Sequence, residues 1–180
     1  MKLMFVSDIH GSAYYAKKAV AAYEQEKADK LILLGDLLYH GPRNDLPKEY
    51  APKQVIKMLN ELKKEIIAVR GNCDAEVDQM VLDFPMMADY ATIDVDGHHF
   101  FLSHGHIFSE EKLPYLNEGD VFVYGHIHKP VAKYENGIYI LNPSSISLPK
   151  EGNNSYGIYE NDEFIIKEFD GTVVKRIRMD

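Results

Sequence analysis

The sequence predicts an α/β fold in which two mixed β-sheets pack together with helices on the outside. Two observations support this prediction. In the first part of the chain, short apolar runs typical of strands alternate with segments of helical spacing, as in strand–helix–strand units with parallel strands. Later, Asp-Gly and Asn-Gly pairs separate segments of alternating polarity, which is typical of antiparallel hairpins.

The first three strands are predicted from the apolar runs KLMFVS, KLILL and EIIAV. The intervening helix is expected to begin after Ser12, because serine caps helix N-termini and small and aromatic residues then recur at helical spacing. A second helix is expected to open at Pro52, since proline is favoured in the first turn. Its apolar face would consist of Val55, Ile56, Leu59 and Leu62. Strands joined in this way lie parallel, with right-handed crossovers.

Two further strands are predicted from the runs HHFFLS and VFVY. Hairpin turns are predicted at Asp96–Gly97, Asn136–Gly137 and Asp170–Gly171, because these dipeptides adopt the positive φ that two-residue turns require. The second half of the chain is therefore expected to be largely antiparallel.

Length and composition favour one globular domain over residues 1–180. The single cysteine, Cys73, excludes an intramolecular disulfide, so a cytoplasmic location is expected. No apolar run suits a membrane span and MKLMFVSD reaches a charge too early for a signal peptide, so no membrane partner is expected. Lys and Arg total 20 against 28 Asp and Glu, and the net charge of −8 argues against nucleic-acid binding through phosphate contacts.

Each of the five predicted strands ends in polar residues of types that bind metal ions. In chain order these residues are Asp8 and His10, Asp36, Asn72, His104, and His126 with His128. Open α/β sheets bind ligands beyond the carboxyl ends of their strands, so these side chains are expected to converge.

This set contains two carboxylates, four imidazoles and one amide, which exceeds the four ligands of a structural zinc site. It suits two adjacent divalent ions of intermediate hardness. Two ions roughly 3.5–4 Å apart clamp a phosphate and lower the pKa of a shared water. One carboxylate must then bridge the ions, and Asp36 is the natural candidate.

Each of these residues, taken singly, has an ordinary structural explanation. A lone histidine is often only a hydrogen-bonded part of the fold, and Asp8 would also suit a helix cap. The joint pattern at five strand ends favours the metal site. By contrast, His98 and His99 follow a hairpin turn and are expected to be structural, whereas His40 and His106 lie near the cluster but are not needed to complete it.

The ordered motifs DIHG, GD, GNCD, SHGH and GHIH resemble those of the calcineurin-like metallophosphoesterase superfamily, and the resemblance runs through the whole chain. The length and the stretches GDLLYHGPRN and RGNCDAEVDQM are most similar to the small bacterial and archaeal phosphodiesterases of the YfcE type. The resemblance implies a four-layer α/β/β/α sandwich. It also implies two divalent ions per chain, with manganese the first expectation and iron, zinc, nickel or cobalt the alternatives.

The same resemblance assigns the ligands and the chemistry. It places Asp8, His10 and His128 on the first ion, Asn72, His104 and His126 on the second, and Asp36 between them. A hydroxide bridging the metals would attack phosphorus in line. Catalytic roles then fall on Asp36, Asn72 and His104, with Asn72 also touching the phosphate.

The sequence departs from much of the superfamily at Cys73, where many monoesterases and nucleases have a histidine. A thiol of ordinary pKa is a poor substitute for an imidazolium, so diesters or substrates with good leaving groups are expected. The other expected substrate contacts are Asn72, His106 and Arg43, whose planar fork suits a second phosphate or a carboxylate. The plainer alternatives are a small buried cysteine and a solvated surface arginine.

The predicted function is a metal-dependent phosphodiesterase acting on small phosphate esters. The alternative within the enzyme class is a phosphomonoesterase or a nucleotide pyrophosphatase. A non-catalytic interaction scaffold is the third alternative, since the superfamily includes a retromer subunit with that role. Loss of ligands would mark such a scaffold, and all seven are present here. Likeness to oligomeric relatives suggests a homodimer or homotetramer.

Overall fold

The structure is a computed structural model that describes residues 1–180 as two packed β-sheets with helices on one outer face. The helices are α1 (Ala13–Glu26), α2 (Pro52–Glu61) and the single turn α3 (Glu76–Gln79). The strands are β1 (Leu3–Val6), β2 (Lys30–Leu33), β3 (Ile66–Ala68), β4 (Tyr90–Val95), β5 (His98–Ser103), β6 (Val121–Val123), β7 (Pro130–Glu135), β8 (Ile138–Pro143), β9 (Ser155–Glu160), β10 (Glu163–Glu168) and β11 (Val173–Arg178).

The first sheet has six strands in the order β11-β10-β9-β1-β2-β3. Strands β1, β2 and β3 are parallel, which confirms the prediction for the first three strands. Because side chains alternate along a strand, Met4 and Val6 join the helices in one core, whereas Leu3 and Phe5 join the second sheet in another. The sheet therefore separates two hydrophobic cores.

The second sheet has five strands in the order β4-β5-β6-β8-β7. Its two hairpins turn at the predicted pairs Asp96–Gly97 and Asn136–Gly137. Its centre differs from the expected antiparallel arrangement, because β5, β6 and β8 are parallel. Parallel pairing needs a long connection, and residues 104–120 supply one between β5 and β6. The carboxyl ends of these three strands consequently lie at one edge.

Both predicted helix starts are confirmed. The Ser12 hydroxyl accepts a hydrogen bond from the backbone N–H of Tyr15 at 3.3 Å, and Pro52 lies in the first turn of α2. The α/β sandwich of two packed sheets is the fold that the family resemblance implies. The outer layer of the second sheet is irregular, however, and residues 104–119 cover it with Phe108 and Leu116 packed against the sheet. None of the helices combines the length and apolarity that crossing a membrane requires.

Candidate metal centre

The predicted metal-binding residues follow the carboxyl ends of five strands that the fold brings to one edge. Asp8 and His10 follow β1, and Asp36 follows β2. On the second sheet, His104 follows β5 directly, and the GHIH motif at 125–128 follows β6. Since β1, β2 and β3 are parallel, as are β5 and β6, each sheet contributes its ligand-type residues from a single edge.

A first compact group consists of Asp8, His10 and His128, whose ligand atoms all lie within 4.8 Å of one another. The Nε2 atom of His128 lies 3.0 Å from Asp8 Oδ1 and 3.3 Å from His10 Nε2. All three residues are buried. This arrangement offers one carboxylate oxygen and two imidazole nitrogens to one point.

A second group is built around His104 and Asp36. The Nε2 atom of His104 lies 3.4 Å from Asp36 Oδ2 and 3.1 Å from Asn72 Oδ1. Asp36 Oδ2 also lies 3.7 Å from His10 Nε2, which places this carboxylate between the two groups. The ring of His126 lies 5.1 Å from that of His104, but His126 joins none of the compact groups.

Three of the imidazoles have the tautomer that a metal ligand needs. The Nδ1–H groups donate to backbone carbonyls: His10 to Tyr39 at 2.8 Å, His104 to Leu34 at 2.7 Å and His128 to Leu148 at 2.6 Å. In the neutral imidazole each Nε2 atom then presents its lone pair to the centre. A hydrogen bond of this kind also fixes the orientation of the ring.

The donor set fits divalent cations. Asp8 Oδ2 accepts hydrogen bonds from Ser7 Oγ at 2.5 Å and from the His126 backbone N–H at 3.1 Å, whereas Asp8 Oδ1 is buried and accepts none. With neutral imidazoles, three lone pairs and two carboxylates would converge in a buried space, where they repel one another unless protons or metal ions supply positive charge between them. Metal ions of the kind that bind imidazole and carboxylate supply that charge.

The pKa shifts have the same physical origin. Burial disfavours the charged carboxylate of Asp8, yet the neighbouring side chains of His10 and His128, when protonated, hold its pKa well below the usual range. Burial also disfavours the imidazolium of His104, but Asp36 and Asp8 raise its pKa to about 9. The centre therefore attracts positive charge strongly.

The backbone at this edge is strained. Five of the ligand-type residues have left-handed φ values: Asp8 56°, His10 49°, Asp36 55°, His126 65° and His128 57°. Each such conformation costs a non-glycine residue about 1–3 kcal/mol, and strain of this size clusters at functional sites. Two neighbouring positions require glycine because a side chain there would clash with the site. A Cβ atom added at Gly125 would lie 1.9 Å from Ser7 Oγ, and one at Gly71 would lie 2.1 Å from Asp36 Oδ1.

Asp74 was not among the predicted site residues, although it positions the bridging candidate. Its buried carboxylate accepts hydrogen bonds from three backbone N–H groups: those of Asp36 at 2.8 Å, Leu37 at 2.9 Å and Gly71 at 2.7 Å. The turn from Gly71 to Asp74 is local and follows from the GNCD motif. The contacts with Asp36 and Leu37 span more than 35 residues and have no local signal.

The segment 142–150 was also missed. The hydroxyls of Ser145 and Ser147 both donate to the backbone carbonyl of Asp8 at 2.8 Å, and Asn142 Nδ2 donates to the Gly125 carbonyl at 2.8 Å. All three of these polar side chains are buried. The only sequence signal was a run of small polar residues, NPSSIS, directly after an apolar strand. This segment holds the strained turns of both sheets together.

A cavity of about 890 Å³ opens onto the centre. Its lining includes the ligand-type residues His10, Asp36, Asn72, His126 and His128, and also contains Tyr39, Gly41, Pro42, Arg43, Asn44, Cys73, Asp74, Ala75, Ile127, Lys129 and Lys150. The substrate contacts expected at Asn72, Cys73 and Arg43 thus lie on this cavity. The cavity is large enough for a small organic molecule.

The remaining histidines lie elsewhere. The ring of His106 packs edge-on against that of His104, 5.4 Å away, and does not line the cavity; burial together with the charge of His104 lowers the pKa of His106 to about 4. His40 packs edge-on against Tyr50 and does not line the cavity either. His98 pairs with Asp162 and His99 with Asp94, away from the centre, as their position after a turn predicted.

Cys73 lies beside the candidate metal centre. Its ligand atom is within 4.8 Å of those of His10 and Asp36, and its backbone N–H donates to Asp36 Oδ1 at 2.8 Å. Burial and the neighbouring carboxylates, Asp36 first, raise the pKa of the thiol to about 12. The thiol is therefore neutral near pH 7, and it is neither a thiolate nucleophile nor a source of positive charge.

Comparison with known proteins agrees with this geometry. The family model described as the calcineurin-like phosphoesterase superfamily domain matches residues 1–163. Phosphodiesterase YfcE of Escherichia coli K12 is 52% identical over 163 residues, which cover 90% of this chain and 89% of that protein. A solved structure of E. coli YfcE, described there as a phosphoesterase, has a TM-score of 0.98 and 47% identity, with each chain covered completely.

Two more distant proteins share the fold. Phosphodiesterase MJ0936 of Methanocaldococcus jannaschii is 25% identical over 171 residues, covering 91% of this chain and 95% of that protein. The zinc complex of Vps29 from Entamoeba histolytica has a TM-score of 0.60 at 18% identity, with both chains covered completely, and shows the fold alone.

Proposed function

This chain belongs to the calcineurin-like phosphoesterase superfamily, and we propose that it is a phosphodiesterase that hydrolyses small phosphodiesters with two divalent metal ions. The observation that carries the proposal is the convergence of three imidazole Nε2 atoms and two buried carboxylates beside an open cavity that His10, Asp36 and His128 line. The phosphodiesterase names of YfcE and MJ0936 support the reaction class.

The ligands divide into two sets in this proposal. The first ion is held by Asp8, His10 and His128, the second by Asn72, His104 and His126, and Asp36 belongs to both. The position of Asp36 Oδ2, 3.7 Å from His10 Nε2 and 3.4 Å from His104 Nε2, supports the bridging role. When bound, two such ions supply Lewis acidity to the phosphate oxygens and make a nucleophile available at neutral pH.

The chain's own residues orient this chemistry. The Nδ1–H hydrogen bonds of His10, His104 and His128 to backbone carbonyls hold each Nε2 atom in place, so no reorganisation is needed when the substrate enters. Asn72 is exposed at the cavity, where its amide N–H groups reach a phosphate oxygen. The Cys73 thiol is too weak an acid to be an effective proton donor to a leaving group at neutral pH, and this favours activated diesters over alkyl monoesters.

The finer assignments are also part of this proposal. Manganese is the first expectation for the metal, as the family resemblance implies, and iron, zinc, nickel and cobalt are the alternatives that imidazole and carboxylate ligands also allow. Residues 1–180 form one domain. The chain works in the cytoplasm as a homodimer or homotetramer, and its partners are small phosphate esters rather than nucleic acids or membranes.

The test is a panel of substrates assayed with a panel of metals. Protein stripped with a chelator is reloaded separately with manganese, iron(II), cobalt, nickel or zinc. It is then assayed with bis(p-nitrophenyl) phosphate, p-nitrophenyl phosphate, an alkyl monoester and a nucleoside triphosphate. We expect hydrolysis only after reloading, fastest on the diester. Faster turnover of a monoester or of the triphosphate would favour the alternative enzymes, and no turnover with any metal would favour the scaffold.

A further inference from the structure

We propose that the cavity contains an anion subsite formed by Arg43, Lys129 and Lys150, and that the preferred diester carries a second negatively charged group, a carboxylate or phosphate, on its non-leaving arm. This inference rests on the proposed function and names its substrate class. The three residues line the same cavity as the candidate metal ligands.

The cavity is larger than the reaction centre requires. Its volume of about 890 Å³ extends beyond the metal-binding side chains to the turn at 39–44 and to residues 127–129 and 150. Only four of its sixteen lining residues are apolar, and three of the others, Arg43, Lys129 and Lys150, are cationic. A polar or charged arm of the substrate therefore suits this space better than an apolar arm.

The backbone holds the three cationic residues around the opening. Lys129 directly follows His128, and the backbone N–H of Lys150 donates to the His128 carbonyl at 2.9 Å. Arg43 lies in the turn at 39–44, which the Asn44 side chain closes by donating to the His40 carbonyl at 2.8 Å. Both lysines thus begin beside the first metal group, and Arg43 faces the same space from another loop.

These cations are only partly neutralised by the protein. Lys129 pairs with Glu151 at 2.5 Å, but neither Arg43 nor Lys150 forms an ion pair. Two unpaired cations therefore lie at one opening of a chain whose net charge is −8, so their local charge is opposite to that of the whole protein. The lining carboxylates do not compensate for them, because Asp36 faces the candidate metal centre and Asp74 accepts three backbone N–H groups.

The reacting phosphate does not need these cations. A diester carries one negative charge, and two divalent ions already neutralise its oxygens. The positive charge of Arg43 and Lys150 therefore acts on another part of the substrate. The planar guanidinium of Arg43 suits the two oxygens of a carboxylate or phosphate, and the ammonium of Lys150 is a compact second charge. An anionic group on the arm is the complementary ligand.

The test compares two esters that differ only in the charge of the arm: p-nitrophenyl 2-carboxyethyl phosphate and p-nitrophenyl propyl phosphate. With the metal-loaded wild-type protein we expect kcat/KM to be about tenfold higher for the carboxylate ester, mainly through KM, and the advantage to shrink at high salt. A 2-phosphonoethyl ester distinguishes a phosphate-like group from a carboxylate as the better ligand. The variant R43Q/K150Q should reduce the ratio to about one.

The matched control is K57Q, which removes one exposed charge from α2, away from the cavity. It should leave the ratio at the wild-type value. Equal turnover of the two esters by the wild-type protein would overturn the subsite and leave the proposed function intact, as would a ratio that R43Q/K150Q does not lower. If neither ester is hydrolysed, turnover of bis(p-nitrophenyl) phosphate decides whether the proposed function holds, and calorimetric titration of the two esters decides the subsite. Tighter binding of the carboxylate ester that R43Q/K150Q removes would support the subsite, and equal binding would overturn it.

Discussion

Replacing Asp74 by asparagine is expected to destabilise the protein and to weaken metal binding, although Asp74 is not a candidate ligand. Its carboxylate fixes the backbone of the candidate bridging residue. Oδ2 accepts the N–H groups of Asp36 at 2.8 Å and Gly71 at 2.7 Å, and Oδ1 accepts that of Leu37 at 2.9 Å. The side chain is buried, so water cannot replace these bonds.

The size of the effect follows from these three hydrogen bonds. In Asp74→Asn, the amide oxygen still accepts hydrogen bonds from the N–H groups of Asp36 and Gly71, but the amide NH₂ then faces the N–H of Leu37. One buried donor loses its acceptor, at a cost of about 1–3 kcal/mol, and the other two bonds lose the assistance of a full charge. Burial raises the pKa of the Asp74 carboxyl, so removing the charge recovers part of this loss. We expect the free energy of unfolding to fall by about 2 kcal/mol.

The matched control is Asp83→Asn, which removes an equal charge from an exposed ion pair. In that pair, Asp83 Oδ2 lies 2.9 Å from Lys63 Nζ. This change should cost at most about 1 kcal/mol. Unfolding in urea with chelated protein measures the stability of both variants, and calorimetric titration with manganese measures metal affinity. Asp74→Asn should bind metal about 10–100-fold more weakly, the usual loss when a ligand's supporting group is removed. Equal stability of the two variants, together with wild-type metal affinity of Asp74→Asn, would refute this role of Asp74.

Three further predictions concern the ligands and the specificity. Asp36→Ala should abolish activity and lower the metal content, because its carboxylate serves both ions; active wild-type protein with one ion or none by elemental analysis would contradict the two-metal site. His126 and His128 should bind different ions, since a turn near Gly125 separates two rings that would share a face in an extended strand; a metal-loaded structure with both rings on one ion would refute this. Cys73→His should raise alkyl monoester turnover more than diester turnover, by on the order of tenfold, because it restores a group that can donate a proton. Cys73→Ala should leave diester turnover nearly intact, and its loss with both metals still bound would show that the cysteine is catalytic.

Features that depend on neighbours in the sequence could be predicted. The start of α1 at Ser12, the start of α2 at Pro52 and the hairpin turn at Asp96–Gly97 were predicted correctly, because capping, proline geometry and turn conformation act over a few residues. The parallel centre of the second sheet was not, because dipeptide signals mark turns but do not fix which strands pair. The irregular layer over that sheet follows from residues 104–119, whose lack of helical periodicity gave no positive signal.

The sequence by itself determined which residue types stand at the strand ends and therefore which chemistry this edge can support. Asp8, His10 and His128 could be singled out in that way, although His128 lies far from the others in the chain. Only the tertiary structure decided how they are held. Ser145 and Ser147, which donate to the Asp8 carbonyl, lie 137 and 139 residues from it in the sequence. Asp74 and the backbone N–H of Asp36 that it binds are 38 residues apart. Local patterns record which side chains a strand presents, whereas the direction of a hydroxyl or carboxylate toward a distant backbone group depends on the packing of the whole fold.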